Sequence, residues 1–238
     1  MSDRPARARS FETVAQEYER HRPDYPAAAI EWAAAQLGLA AGSRVVDVGA
    51  GTGKLTRGLV AAGFEAVAVE PAGPMLDQLR LAVPEAEAHE AHAEEIPLPD
   101  ASVDSAFAGQ AFHWFDRERA LPELQRVVRP GGGIALLWNR WDEEDPLLSQ
   151  VDALLHEIRP PVAQRVEFPL QHERGTFRQP REMSVDALVD WAGSTSGWVN
   201  APPAKRREIE SEIRRLGDGH AGEVSIATDV IVAWPGGG

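Results

Sequence analysis

The sequence contains no cysteine, which removes disulfide frameworks, thiolate zinc sites and cysteine nucleophiles together. A reducing compartment suits such a chain, and the cytoplasm is the expected location. A basic excess is missing too: 24 Lys and Arg against 37 Asp and Glu leave a formal net charge of −13. Gripping nucleic acid or an anionic membrane over a broad surface needs a basic face, so neither is an expected partner. No stretch approaches the ~18 apolar residues of a membrane span. Arg4, Arg7 and Arg9 stand among Pro, Ala and Ser without the apolar centre of a signal peptide, and residues 1–9 read as a mobile tail. No internal repeat or low-complexity run interrupts the remainder. A chain of 238 residues suits a single domain, here 10–238, able to bury roughly 70–75 % of its unfolded surface.

What is present centres on Arg44-Val-Val-Asp-Val-Gly-Ala-Gly-Thr-Gly-Lys54. Val45, Val46 and Val48 predict a buried parallel strand, three alternating glycines a tight turn, and Leu55, Leu59 and Ala62 a following helix. Glycine lets a ligand approach backbone at a helix start, because it has no Cβ and tolerates positive φ. A phosphate loop fails here: Val48 stands where its first Gly belongs and Leu55 where its hydroxyl belongs. A dinucleotide fingerprint is weakened by Lys54 in the place of its third Gly. The remaining pattern, Asp47-x-Gly49-Ala50-Gly51-x-Gly53, resembles motif I of the class I S-adenosylmethionine (SAM)-dependent methyltransferases. The run Ala66 to Val69 predicts a second strand that ends in Glu70-Pro71, placing an acid where both hydroxyls of a ribose are within its reach.

The resemblance covers nearly the whole chain and is strongest over 44–140. It implies an α/β fold: a Rossmann-like, seven-stranded, mostly parallel sheet with helices on both faces, closed by an antiparallel pair of last strands. Phe11, Tyr18, Arg22-Pro and Tyr25-Pro are similar to the N-terminal lid of a small-molecule subgroup that includes the trans-aconitate methyltransferases, implying a lid over 10–26. An amphipathic helix packed on the sheet edge is the other reading of Tyr18 and Arg22. Helices are expected over 27–37, from Gly73-Pro74 with Met75 inward, after Asp116 as a capping residue, from Pro146, after Ser184 and after Pro203. Strands are expected near 86–91, 103–108 and 134–138, with Arg129 to Gly133 as a turn, and at 223–234. Residues 159–182 lack periodicity, and 146–182 reads as an insert over the acceptor.

Further site residues follow from the resemblance. Ala93 and Glu94 match the family's adenine loop, while Gln110-Ala-Phe-His113-Trp114-Phe-Asp116 matches its motif after the fourth strand. The implied cofactor set is Tyr18, Arg22, Asp47, Gly49, Ala50, Gly51, Gly53, Glu70, Pro71, Met75, Ala93, Glu94 and Gln110. Tyr25, His113, Trp114, Asn139 and Arg140 are then expected at the acceptor. His89 and His92 stand three apart without a third ligand, and no metal is expected.

The implied reaction moves the SAM methyl to a small-molecule acceptor at oxygen, nitrogen or carboxylate, with S-adenosylhomocysteine as product. His113 is the candidate general base, since a neutral imidazole accepts a proton. For a carboxylate acceptor no base is needed, and Arg22 and Arg140 are candidate clamps. Another SAM-fold enzyme or a nicotinamide oxidoreductase, and a SAM-binding module without catalysis, are the competing readings.

Overall fold

A computed structural model of the protein describes residues 23–158, 170–220 and 222–234. In chain order these form α1 (Ala27–Gln36), β1 (Arg44–Val48), α2 (Lys54–Ala61), β2 (Glu65–Val69), α3 (Gly73–Ala82), β3 (Glu87–His89) and β4 (Val103–Gly109). A single 3-10 turn, Phe112–Trp114, leads to α4 (Arg117–Val127) and β5 (Val128–Trp141). Then come α5 (Pro146–His156), β6 (His172–Met183), α6 (Val185–Gly193), α7 (Ser196–Asn200), α8 (Pro203–Leu216) and β7 (Gly222–Ala233).

The strands make one seven-stranded sheet in the order β3-β2-β1-β4-β5-β7-β6. β1 pairs in parallel with β2 and β4, β2 with β3, and β4 with β5. Val45, Val46 and Val48 are fully buried, as expected of strands covered on both faces, where β-branched side chains pack well. Burying each such side chain is worth about 1.5–3 kcal/mol. The chain order switches sides at β1, whose neighbours are β2 and β4, so the turn after β1 opens at the point where ligands of such sheets collect.

The chain divides into two compact units. Among the described residues the sheet unit holds 24–139, 170–177 and 228–234. One core cluster of it joins Val46, Val69, Phe112, Leu124 and Leu136. A second joins Ile30, Leu59, Phe107, Leu137 and Val232. Among the described residues the helical unit includes 140–158, 178–220 and 222–227. Its core is built from Leu148, Val151, Leu188, Trp191, Ile209 and Ile213, with Trp141 stacked on Trp191 at 3.7 Å between ring centroids.

Four features differ from the sequence-based expectation. Arg129 to Gly133 is not a free turn: Val103 pairs with Val128 and Ser105 with Gly133, so the glycines form an irregularity inside β5. β6 lies in the stretch without periodicity. As an edge strand it alternates half-buried with exposed residues, most of them polar, so no apolar alternation marks it. Asp116 occupies the N-cap position of α4 but makes no side-chain capping bond. The short α7 is signalled only by its cap, Thr195, whose hydroxyl accepts from the Trp198 N–H.

Candidate active site

The turn after β1 is held from beneath, with the N–H groups of Gly49 and Ala50 both donating to the Val69 carbonyl at 2.8 and 3.1 Å. Gly49 and Gly51 have φ of 69° and 58°, a region that glycine enters without steric cost. They differ in surroundings. A Cβ on Gly49 would lie 2.5 Å from the Ala111 Cβ, so the turn packs directly on the chain after β4. Among the described residues, a Cβ on Gly51 would find only the Met75 Sδ, at 4.0 Å. As far as these residues go, the Gly51 face of the turn has room beside α3.

Glu70, at the tip of β2, is 6 % exposed. Its Oε2 accepts from the Gly51 N–H at 2.8 Å and its Oε1 from the Ala72 N–H at 2.9 Å. The carboxylate thus ties the glycine turn to the chain entering α3. The acid is therefore engaged by the backbone before any ligand arrives. Asp47, fully buried in β1, accepts from the Thr56 hydroxyl at 2.7 Å on one oxygen. The other oxygen has no protein partner. Burial, with the Glu70 charge as a lesser cause, pushes the Asp47 carboxyl up to about 7 against the lowering effect of Thr56.

Ala93 is buried and Glu94 half-buried. The Glu94 carboxylate accepts from the Asp116 N–H at 2.7 Å, answering a helix-start donor from outside the helix. Two residues that the sequence reading missed hold the rest of this loop. Glu123 accepts from the Ile96 N–H, and Arg126 donates to the carbonyls of Ile96 and Leu98 while pairing with Glu123 and Asp100. Three apart on α4, they look in sequence like an ordinary solvated ion pair.

β4 ends at Gly109, and Gln110 follows with φ 53°, rare for a residue with a side chain. Its N–H donates to the Leu137 carbonyl at 2.9 Å and its side-chain amide to the Asn139 carbonyl. Of the aromatic run, Phe112 and Phe115 are core residues, whereas His113 and Trp114 are half-buried with ring centroids 4.9 Å apart. The Tyr25 hydroxyl lies against Gly109, where a Cβ would come within 2.5 Å of it. Asn139 donates to the Asp24 carbonyl at 3.4 Å and accepts from the Thr228 hydroxyl at 2.6 Å. Arg140 belongs to the helical unit, where its guanidinium donates to the Trp141 carbonyl at 3.2 Å and lies 4.0 Å from Glu143. Tyr18 and Arg22 lie outside the described residues.

Among the described residues no His, Asp and Glu group has the makings of a metal site, and no helix is long and apolar enough to cross a membrane. His89 pairs with Glu87 at 2.6 Å and His92 is exposed.

The family signature described as "Methyltransferase domain" matches residues 46–136, the span from β1 into β5. An uncharacterised methyltransferase of Mycobacterium tuberculosis is 41 % identical over 210 residues, 87 % of this chain and 85 % of that one. The chain belongs to the class I SAM-dependent methyltransferases. It is similar also to a malonyl-[acyl-carrier protein] O-methyltransferase of Pseudescherichia vulneris, 35 % identical over 163 residues, 67 % of this chain and 64 % of that one. A solved candidate type II methyltransferase from Anaeromyxobacter dehalogenans superposes with a TM-score of 0.69 at 27 % identity, covering 89 % of this chain and 96 % of that one. Membership brings SAM as methyl donor, and the residues of this methyltransferase fit it. Glu70 is a hydroxyl-accepting carboxylate held beside the glycine turn, and among the described residues a side chain on Gly51 would project into space bordered by Met75.

Proposed function

We propose that this methyltransferase transfers a methyl group to a small-molecule acceptor, with the cofactor seated on the turn 49–53 and the acceptor beyond the ends of β4 and β5. The observation that carries the reading is the Glu70 carboxylate, fixed by the Gly51 and Ala72 N–H groups beside the open face of Gly51. A pre-oriented carboxylate accepts two ribose hydroxyls without paying to organise itself first. Met75 borders the same space. Ala93 and Glu94 take the adenine side, with their loop held by Glu123 and Arg126.

SAM, when bound, supplies an electrophilic methyl on a sulfonium. The protein's share is alignment and exclusion of water, effects worth roughly 7–11 kcal/mol in favourable cases. Tyr25, His113, Trp114 and Asn139 line the acceptor side in this reading. For a hydroxyl or amine acceptor, His113 removes the proton. For a carboxylate, His113 donates a hydrogen bond while Arg22 and Arg140 hold the charge. The likeness of the lid sequence to trans-aconitate methyltransferases supports a carboxylate oxygen, as does the O-methyltransferase relative that acts on a malonyl group. The reading keeps 10–238 as one methyltransferase domain, with 10–26 as its lid and 146–182 assigned to the acceptor.

Calorimetric titration with SAM, S-adenosylhomocysteine and NAD tests the cofactor assignment, and Gly51→Val tests its location. The variant is expected to keep its circular dichroism spectrum and lose both adenosyl ligands, because its side chain enters the space beside Met75. Gly49→Val is no substitute, since it collides with Ala111. An unchanged dissociation constant for Gly51→Val would place the cofactor elsewhere.

A further inference from the structure

We propose that Asp24 is a positioning residue: held by Lys54 and Arg57 of α2, it fixes the adjoining Tyr25 hydroxyl at the carboxyl end of β4, beside the cofactor turn. The inference rests on the cofactor reading above.

Lys54 directly follows Gly53 and begins α2. Its Nζ lies 3.2 Å from the Asp24 Oδ1, and the Arg57 Nη2 lies 3.1 Å from the same oxygen. Two cations in the first turn of a helix oppose its dipole, and α2 has no acid of its own there to offset them. Asp24 supplies the anion from 30 residues away. The Lys54 side chain is only 11 % exposed, and a lysine so covered needs a partner. Burial pushes the Asp24 carboxyl up, but Lys54 and then Arg57 outweigh it and hold the group below its ordinary range, charged at neutral pH.

The backbone of the same residue is tied to a different element, since the Asp24 carbonyl accepts from Asn139 of β5. The next residue is tied to a third. The Tyr25 ring fills the notch that Gly109 leaves, where a Cβ would lie 2.7 Å from the ring Cζ and 3.1 Å from Leu55 of α2. Asp24 and Tyr25 are thereby stitched to the start of α2 and the ends of β4 and β5, all at the ligand edge of the sheet. An exposed ion pair adds little to stability, and Asp24 is 63 % exposed. Its effect lies in where it holds its neighbour. The acid that places Tyr25 is anchored on the helix that the glycine turn begins, so the turn and the hydroxyl are mechanically coupled.

The chain has two tyrosines, Tyr18 and Tyr25, so 3-fluorotyrosine incorporated into the whole protein yields two 19F resonances that Tyr18→Phe assigns. With S-adenosylhomocysteine as probe, the Tyr25 resonance is expected to shift on saturation. In Asp24→Asn that resonance should move toward the solvent-exposed position and lose its response, while the calorimetric Kd stays within about threefold of wild type, as for loss of an exposed ion pair. Asp24→Glu should restore the wild-type signal. A Tyr25 resonance indifferent to Asp24→Asn overturns the inference and leaves the cofactor reading standing. So does a melting temperature that falls together with ligand affinity, the mark of a merely structural pair. Failure of the wild-type protein to bind S-adenosylhomocysteine overturns both.

Discussion

Asp47 in the sheet unit and Asp142 in the helical unit are both removed from water, at 0 and 1 % exposure, yet their surroundings are opposite. Asp142 accepts from the Ser225 hydroxyl, the Arg178 guanidinium and the Glu144 N–H. Burial pushes its carboxyl up, but these partners outweigh that, with Ser225 foremost, and hold it below the usual range. Asp47 has Thr56 and an unanswered oxygen. The helix starts repeat the contrast. α5, α6 and α7 of the helical unit are capped by the side chains of Asp145, Ser184 and Thr195, while its α8, preceded by Pro202, is not. α1 to α4 of the sheet unit have no side-chain cap. The helical unit answers the buried carboxylate of Asp142 in full, although the buried Nε2 of His220 in the same unit has no hydrogen-bond partner. The sheet unit, beside the glycine turn, tolerates shortfalls of the kind that functional sites accept.

The largest expected effect that bears on this contrast is on pH dependence. Between about pH 4 and 7 the folded protein keeps a proton on Asp47 that the unfolded chain has lost. Stability from this group is therefore fully present at the acid end and declines as pH rises to about 7, by on the order of 4 kcal/mol. Asp142 acts with the other sign, its contribution present at neutral pH and lost as pH falls below the ordinary carboxylate range. Urea unfolding across about pH 2–8 should show the Asp47→Asn variant without the decline and Asp142→Asn without the acid-side loss. Parallel curves for the two variants would erase the distinction.

Next comes Glu70→Ala, expected to weaken SAM binding on the order of 10²-fold, each lost charge-assisted bond being worth about 1.5–3 kcal/mol. Two backbone donors also lose their acceptor, so the melting temperature should fall as well, by the equivalent of about 1–3 kcal/mol. Glu70→Gln should lie between on both axes. Wild-type affinity in calorimetry for Glu70→Ala would remove the adenosyl assignment of this site. The smallest effect belongs to Ser184→Ala, which strips one cap from the helical unit and should cost about 0.5–2 kcal/mol. Affinity for S-adenosylhomocysteine should not change. A loss of affinity there would mean that the capped region also serves the ligand.

Much of the sheet unit was legible before any coordinates, because its signals are local: Val45 to Val48 as a β-branched run, glycines at fixed spacing, and Glu70 directly after an apolar strand. What escaped notice depends on partners distant in the chain. Arg126 reaches back 30 residues to Ile96, and Asp24 reaches forward to Lys54. Neither choice leaves a periodic trace. The polar strand β6 escaped because a sheet edge needs no apolar alternation. The second role of Glu70, as a tie between Gly51 and Ala72, was hidden because sequence shows where a side chain stands, not which backbone donors turn toward it.

The positive φ of Gln110 carries a consequence for anyone who engineers this protein. Left-handed backbone on a residue with a Cβ is disfavoured by roughly 1–2 kcal/mol, so glycine at 110 would relax the chain while deleting the amide that reaches Asn139. A screen that selects only for heat resistance would favour that replacement and discard a side chain of the proposed site. Thermostability libraries for this enzyme should therefore hold position 110 fixed, or score every gain there against ligand binding.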